Sequence, residues 1–468
     1  MKILHVLANS SPDVNGYAVR TQMLLQYQNE LEGIENIGLT SPWYPDRDSM
    51  VETHQKNGIQ YFRTLHPARK KNSKLSHKLV RLFTRKPNSE ERHPGSQSQQ
   101  TKFLLLRIWD FFYYGLFKIG RLVRHFFRIG WKVVEEKILI KYFTKRIIEV
   151  AKRENADIIH AHTPYRVGLP ALKAARKLKL PFVYEMRGMW EETAVANGRW
   201  MRNGPAYRRF QSYETKVLRK ADQVICISET LKNEAVSRGV NPENITIVTN
   251  AVERKIREEK KISTLYPTVV EQLNKNQEAC TIGYIGSLRE MEGVDLTARA
   301  VASLLKKGLH VQFFVLTGTS GQAELRRLCN ELGIEQYSII VGPVPHEEVA
   351  AFYGLIDVFV VSRPDSRVTQ LVTPLKPFEA MAMGRTVVAS KLAALEEIIQ
   401  HGETGLLYTP GDLNDLSNTI EECIQTPELR ERLGEKAQEW VLANRTWEVV
   451  VENTRQVYSK GHELRVES

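Results

Sequence analysis

Short β-branched runs alternate with amphipathic helical stretches along most of this chain, and that alternation restricts it to parallel sheets covered by helices. Met1 to Ala8 reads as a strand and Ala18 to Leu31 as an amphipathic helix. Short buried strands follow at Ile158 to Ala161, Phe182 to Tyr184, Gln223 to Ile227 and Ile245 to Val248, with helices around Ala171 to Leu178 and at Glu229 to Ser237. The charge-dense run Glu253 to Lys261 reads as a linker. Beyond it the scheme repeats: strand Thr281 to Ile285, a helix to Lys307, strand Val311 to Leu316, a helix around Glu324 to Leu332, and strand Tyr337 to Val341. Strand–helix–strand crossings are right-handed and build parallel sheets. The expected fold class is therefore α/β, with two parallel-sheet halves. Ligands of such sheets sit beyond the carboxyl ends of the strands.

A chain of 468 residues is long for one core, and 42% hydrophobic residues with scattered charge can fill two. The expected units are an N-terminal domain over 1–260, a C-terminal domain over 270–440, and a helix over 441–468 returning to the first domain. Only Cys226, Cys280, Cys329 and Cys423 occur, with no C-x-x-C pair, so neither a disulfide framework nor a zinc site is signalled. That usage points to a reducing, cytoplasmic setting. The opening MKILHVLANSSP reads as a buried strand rather than a signal peptide.

Positive charge concentrates in an insertion near residues 66–145. Residues 66–150 hold 20 Lys and Arg against 6 Asp and Glu, a net of +14, while the whole chain carries +12. Within it, aromatic and aliphatic residues between Phe103 and Val134 recur at helical spacings. Arg107, Asp110, Lys118, Arg121, Arg124, Arg128 and Lys132 interrupt every run long enough to span a bilayer. A basic, aromatic-rich amphipathic stretch suits an anionic membrane surface; a packed helical insertion with a solvated basic face is the plainer alternative. No nucleic-acid module accompanies the charge, so nucleic acid is not an expected partner.

The segment Val372 to Ser390, VTPLKPFEAMAMGRTVVAS, carries the most chemistry. It places Glu379 in a Pro-bounded turn running into a short helix from Ala380 to Met383, closed by Gly384, with a strand from Thr386 to Ala389. Helix N-termini favour phosphate, and a carboxylate there can accept hydrogen bonds from ribose hydroxyls. Phosphate and ribose together describe a nucleotide.

PLKPFEAMAMGRTVVAS resembles the donor-site signature of retaining, family-4-type glycosyltransferases. LRKADQVICISETLKNEAVSRGV with NITIVTNAVE, then IGYIGSLREMEGVDL, then VVASKLAALEEIIQHGETGLLY fall in that family's order, over nearly all of the chain except the insertion. The resemblance implies the GT-B architecture: two Rossmann-like parallel-sheet domains facing across a cleft, here with a basic helical insertion in the first. It implies a nucleotide-diphosphate sugar as donor, a saccharide or lipid-linked acceptor, and a role in surface polysaccharide synthesis at the inner face of the membrane. No cofactor or metal is implied. Retention needs no dedicated protein base if the leaving phosphate oxygen takes the acceptor's proton. A sugar-nucleotide epimerase on the same fold and a catalytically silent, membrane-associated scaffold are the rival classes.

By the same resemblance, Glu379 holds the ribose and Lys376 meets the diphosphate, with the backbone around Leu375 assisting. Gly16 and Gly286 permit close approach of backbone to donor. Arg187, in VYEMRGMWEET, falls where many relatives carry a His beside the sugar, so Lys376, Arg187 and Glu379 are the expected catalytic set. Glu185, Trp190, Glu191 and one of the two histidines of IIHAHTP, taken as His162, are expected on the acceptor side of the cleft; a structural Arg187–Glu185 pair competes with that role for those two.

Two departures stand out. The family's first acid, eight positions before Glu379, is Leu371 here, with Thr373 and Pro374 replacing a Phe-Gly pair. The positions where many relatives carry basic residues for the diphosphate hold Ser287 and Glu292. Arg289 and Arg363 are the expected helpers of Lys376.

Overall fold

The computed structural model describes residues 1–10, 16–43, 53–67, 133–254, 265–275 and 278–466. The amphipathic part of the insertion, except Val133 and Val134, lies outside the described residues.

The first sheet uses β1 (Lys2–Leu7), β2 (Glu35–Thr40), β3 (Thr53–Lys56), β4 (Ile59–Arg63), β5 (Ile158–His162), β6 (Phe182–Met186), β7 (Gln223–Cys226) and β8 (Ile245–Ile247). Their order is β3-β4-β2-β1-β5-β6-β7-β8, and only the β3–β4 pair is antiparallel. The second sheet uses β9 (Cys280–Ile285), β10 (Val311–Leu316), β11 (Ser338–Val341), β12 (Val358–Val361), β13 (Thr386–Ser390) and β14 (Leu406–Tyr408), in the order β11-β10-β9-β12-β13-β14, all parallel. The central strands β5, β6, β9, β10, β12 and β13 are buried at every residue. Helices cover both faces, which is why these strands read as continuous apolar runs instead of alternating ones.

The terminal helix Trp447–Val466 lies against the first sheet. Its Trp447, Val450, Val451, Val457 and Tyr458 share a core with Ile3, Leu7, Leu24, Val183 and Ile225. The two chain crossings between the domains run side by side: Val252 N–H donates to the Arg445 carbonyl at 2.9 Å, and Trp447 N–H to that of Val252 at 3.0 Å.

One helix begins earlier than its sequence suggests. The helix expected from Ala380 spans Lys376–Ala382. Pro377 sits in its first turn, where a missing N–H costs nothing because no partner exists for it. Lys376 and Glu379 are therefore one turn apart on the same helix.

Candidate functional site

The residues expected on the donor side gather where β9 and β12 end. Lys376 reaches across Gly286 so closely that a Cβ there would stand 2.2 Å from Lys376 Cε, and Gly286 has a φ of +147° that other residues rarely adopt. Lys376 Nζ donates to the Tyr284 hydroxyl at 2.6 Å and meets Glu292 Oε2 at 2.9 Å. The same Glu292, only 2% exposed, takes Arg289 Nη2 on its other oxygen at 2.9 Å, while Arg363 Nε stands 3.4 Å from Oε2. Burial alone would raise the Glu292 carboxyl, but Lys376, Arg363 and Arg289 together hold it well below the usual carboxylate range. Burial lowers the Lys376 ammonium and Glu292 opposes that shift.

Glu379 stands beside this cluster. Its Oε2 accepts from the Tyr353 hydroxyl at 2.6 Å, and among the described residues Oε1 has no hydrogen-bond donor. Tyr353 is 1% exposed, so burial, and then the Glu379 charge, push its phenol well above its ordinary range. It stays a donor, and it orients the carboxylate. Arg363, 3% exposed, donates through Nη1 to the Val372 carbonyl at 2.9 Å. Asn250 of the first domain donates to the Thr373 carbonyl at 3.0 Å, and the Thr230 hydroxyl to that of Leu371 at 3.0 Å. Leu375 lies against Gly16, where a Cβ would meet Leu375 Cδ1 at an ordinary 3.6 Å. The Ser287 hydroxyl accepts from Arg289 Nε at 3.2 Å.

On the facing domain, Glu185 is the hub of a buried polar cluster. Its oxygens meet Arg20 at 2.7 Å, Arg187 at 2.8 Å and His162 Nδ1 at 2.6 Å. His5 Nδ1 faces His162 Nε2 at 2.9 Å, His5 Nε2 faces Asn36 Oδ1 at 2.9 Å, and His160 Nδ1 faces the Tyr458 hydroxyl at 2.9 Å. Parallel register explains the gathering: His5 pairs His160 across β1–β5, and His162 pairs Glu185 across β5–β6. Burial lowers all three imidazoles, His162 to about 4, so they stay neutral. Their nitrogens lie within 4.8 Å of one another, close enough to suggest a metal. Yet His5 and His162 spend facing nitrogens on each other, and two guanidinium groups already share the one carboxylate. The cluster is a hydrogen-bonded buttress buried in the first sheet.

The acceptor-side expectations need correction. Glu185, Glu191 and His162 are each fully buried rather than turned to an open cleft. Glu191 pairs with Arg238 at 2.7 Å, because an acid inside the domain needs a cation and Arg238 supplies it. Arg187, held by Glu185 and by Thr21 Oγ1 at 2.6 Å, is 9% exposed, and Trp190 at 44% is the open aromatic. Arg187 and Glu185 do form the pair that the sequence allowed, and it rests on the buttress.

Sequence reasoning missed Tyr353, Tyr284, Arg20 and His5, and read Glu292 only as a lost cation. Nothing in linear spacing links Tyr353 to Glu379 or His5 to His162; the sheet registers and the helix Val349–Tyr353 do. Arg367, a few residues after Arg363, crosses between the domains to Glu234 at 2.7 Å and Glu192 at 3.3 Å.

Two parallel α/β domains, one carrying the Lys376–Glu379 helix turn and the other the buried Arg187–Glu185 pair, define a GT-B-type scaffold. Residues 80–255 match the family description "Glycosyltransferase Family 4" and residues 267–440 match "Glycosyl transferases group 1". The chain belongs to the GT-B glycosyltransferases of the family-4 type. It is 25% identical to an uncharacterized glycosyltransferase of Methanocaldococcus jannaschii over 68% of this chain and 78% of that one. It is 24% identical to the MMP alpha-(1->4)-mannosyltransferase of Mycolicibacterium hassiacum over 69% of this chain and 75% of that one. Among solved structures, sucrose-phosphate synthase of Thermosynechococcus elongatus superimposes with a TM-score of 0.69 at 17% identity, covering 100% of this chain and 99% of that one. Anabaena HepE in complex with UDP-glucose gives 0.61 at 15% identity, with 98% of each chain covered.

Proposed function

We propose that this glycosyltransferase moves a sugar from a nucleotide-diphosphate donor, with retention, onto a saccharide or lipid-linked acceptor in the synthesis of a cell-surface polysaccharide. The observation that carries the donor reading is the pairing of Lys376 and Glu379 one turn apart, the ammonium over Gly286 and the carboxylate oriented by Tyr353 with one oxygen open. That spacing suits a diphosphate next to a ribose. HepE, of the same fold, is seen with UDP-glucose, which supports a nucleotide sugar here.

In this scheme the bond from the anomeric carbon to the diphosphate breaks while the acceptor oxygen bonds to the same face. The acceptor's proton passes to the departing phosphate oxygen. Charge grows on the diphosphate, and Lys376, with Arg289 and Arg363 behind it, stabilises that charge. Arg187, braced by Glu185 in the other domain, positions the sugar in this scheme. Trp190 offers its exposed ring to the acceptor.

Transfer assays over a panel of nucleotide sugars, with the anomeric configuration of the product read by NMR, test this directly. Inversion would refute the retaining scheme, and failure of every nucleotide sugar to bind or react would refute the donor site.

The membrane is the expected workplace. Among the described residues no helix is long and apolar enough to cross a bilayer. One relative is named for a glycolipid, the alpha-monoglucosyldiacylglycerol synthase of Streptococcus pneumoniae, 26% identical over 63% of this chain and 65% of that one. The basic stretch Phe103 to Val134 is the proposed foothold, each basic residue adding about 1 kcal/mol at an anionic surface. Co-sedimentation with anionic vesicles that weakens with salt is the expected result; no binding to anionic or neutral vesicles would remove the foothold.

A further inference from the structure

The donor pocket holds an acid where charge complementarity to a diphosphate calls for none. Glu292 ends the short turn Glu290–Glu292, almost fully buried, with Lys376 and Arg289 each 2.9 Å from one of its oxygens and Arg363 Nε 3.4 Å from Oε2. Its backbone position is tightly set: the next residue, Gly293, has a φ of +66°, and a Cβ there would stand 1.8 Å from the Ser362 carbonyl oxygen. The Ser362 hydroxyl in turn donates to the Gly293 carbonyl at 2.6 Å. The turn that carries Glu292 is thus locked onto the loop after β12, the same loop that carries Arg363.

Consider the pocket without this carboxylate. Lys376 would lie between β9 and its own helix with the Arg363 and Arg289 guanidiniums as its charged neighbours and the Tyr284 phenol, itself held neutral by burial, as its hydrogen-bond partner. A desolvated ammonium beside two arginines, one of them buried, either loses its proton or swings out to water, and lysine, unlike arginine, gives up its proton readily when buried. A neutral Lys376 cannot stabilise a leaving diphosphate. With Glu292 present, three cations and one carboxylate leave a net charge of two positive units, equal to the two negative charges of the diphosphate in a nucleotide sugar.

We propose that Glu292 is a positioning residue for sugar transfer, a buried counter-ion that keeps Lys376 protonated and aimed across Gly286 at the donor diphosphate. This rests on the donor-site reading of Lys376. Glu292 acts through Lys376 and need not touch the donor. The sequence departure at this position is then a change of strategy: where relatives place a cation, this chain places an anion that holds a cation in the correct state.

The test is the pH dependence of nucleoside-diphosphate affinity, measured by calorimetry with UDP, GDP and ADP from about pH 7.5 to 10, above the last phosphate ionisation near 6. Affinity falls as pH rises through the Lys376 titration. In Glu292→Gln, which keeps the shape and removes the charge, the midpoint of that fall is expected about 1–3 pH units lower. Glu292→Asp, which withdraws the charge by one methylene, is expected to move it in the same direction by less. Should the buried Gln variant fail to fold, the Asp variant decides alone. Midpoints that coincide with the wild type in every folded variant overturn the proposal. Lys376→Met separates the premise from the inference: it is expected to bind weakly, with no fall over this range beyond that from ionisation of the uracil or guanine ring. If Lys376→Met binds like the wild type, or no nucleoside diphosphate binds the wild type, the donor-site reading itself fails and Glu292 loses its role with it.

Discussion

Replacing Glu379 with Gln should weaken binding of the nucleotide donor by about two orders of magnitude while leaving the fold intact. The choice of Gln follows from Tyr353, whose buried hydroxyl donates to Glu379 Oε2 at 2.6 Å. An Ala would orphan that hydroxyl and cost about 1–3 kcal/mol of stability, whereas the Gln carbonyl can still accept from it. What Gln loses is charge and one acceptor. The open Oε1 is where the two ribose hydroxyls are expected to donate, and hydrogen bonds to a charged group are worth about 1.5–3 kcal/mol each. Losing one and weakening the other removes about 3 kcal/mol, or roughly a hundredfold in dissociation constant. Calorimetric titration with the preferred nucleoside diphosphate reads this, and the 2′,3′-dideoxy analogue completes a double-mutant cycle. Wild type should lose affinity for the analogue by a similar factor, and Glu379→Gln should hardly distinguish the two ligands. An unchanged affinity in the folded variant, or full additivity of the two changes, would refute the contact between Glu379 and the ribose.

Lys376→Ala should lower kcat more than it raises KM, because charge on the leaving diphosphate grows toward the transition state; a change confined to KM would make the residue a ground-state anchor. Stability should fall on acidification, since His5, His160 and His162 are buried neutral and the unfolded chain binds protons that the folded chain refuses. Between about pH 7.5 and 5.5 the three imidazoles together cost about 4 kcal/mol, while Glu214, raised by burial to about 7, regains about 2 by taking up a proton in the fold, so a net loss of about 2 kcal/mol is expected in urea titrations. A flat or rising profile would contradict the buried buttress, and below the carboxylate range loss of Glu185, whose charge the fold stabilises, should steepen the decline. Arg367→Ala removes the ion pairs to Glu234 and Glu192 across the cleft; with the Arg367 side chain 43% exposed the stability cost should stay under about 1 kcal/mol, but small-angle scattering should show a more open average shape, and an unchanged radius of gyration would argue against a domain latch.

How much of this was legible beforehand follows from the range over which each signal acts. Strand–helix alternation is local, so the sequence by itself determined two parallel α/β units, the run from Thr386 that becomes β13, and the closeness of Lys376 to Glu379. The helix start was misjudged by a few residues, because Pro377 marks a first turn as readily as a boundary. Burial of the central strands was also legible, since β-branched runs without polar alternation admit little else. What only the tertiary structure decided is which charges meet. Whether Glu292 replaces a phosphate-binding cation or supports one depends on side chains from the end of β9, the loop after β12 and the helix at Lys376 converging on one buried carboxylate. His5, His162 and Glu185 become neighbours only through sheet register, and Tyr353 reaches Glu379 only through helix packing. Electrostatic meaning depends on distance and desolvation in three dimensions, and neither quantity is written in the spacing of residues along the chain.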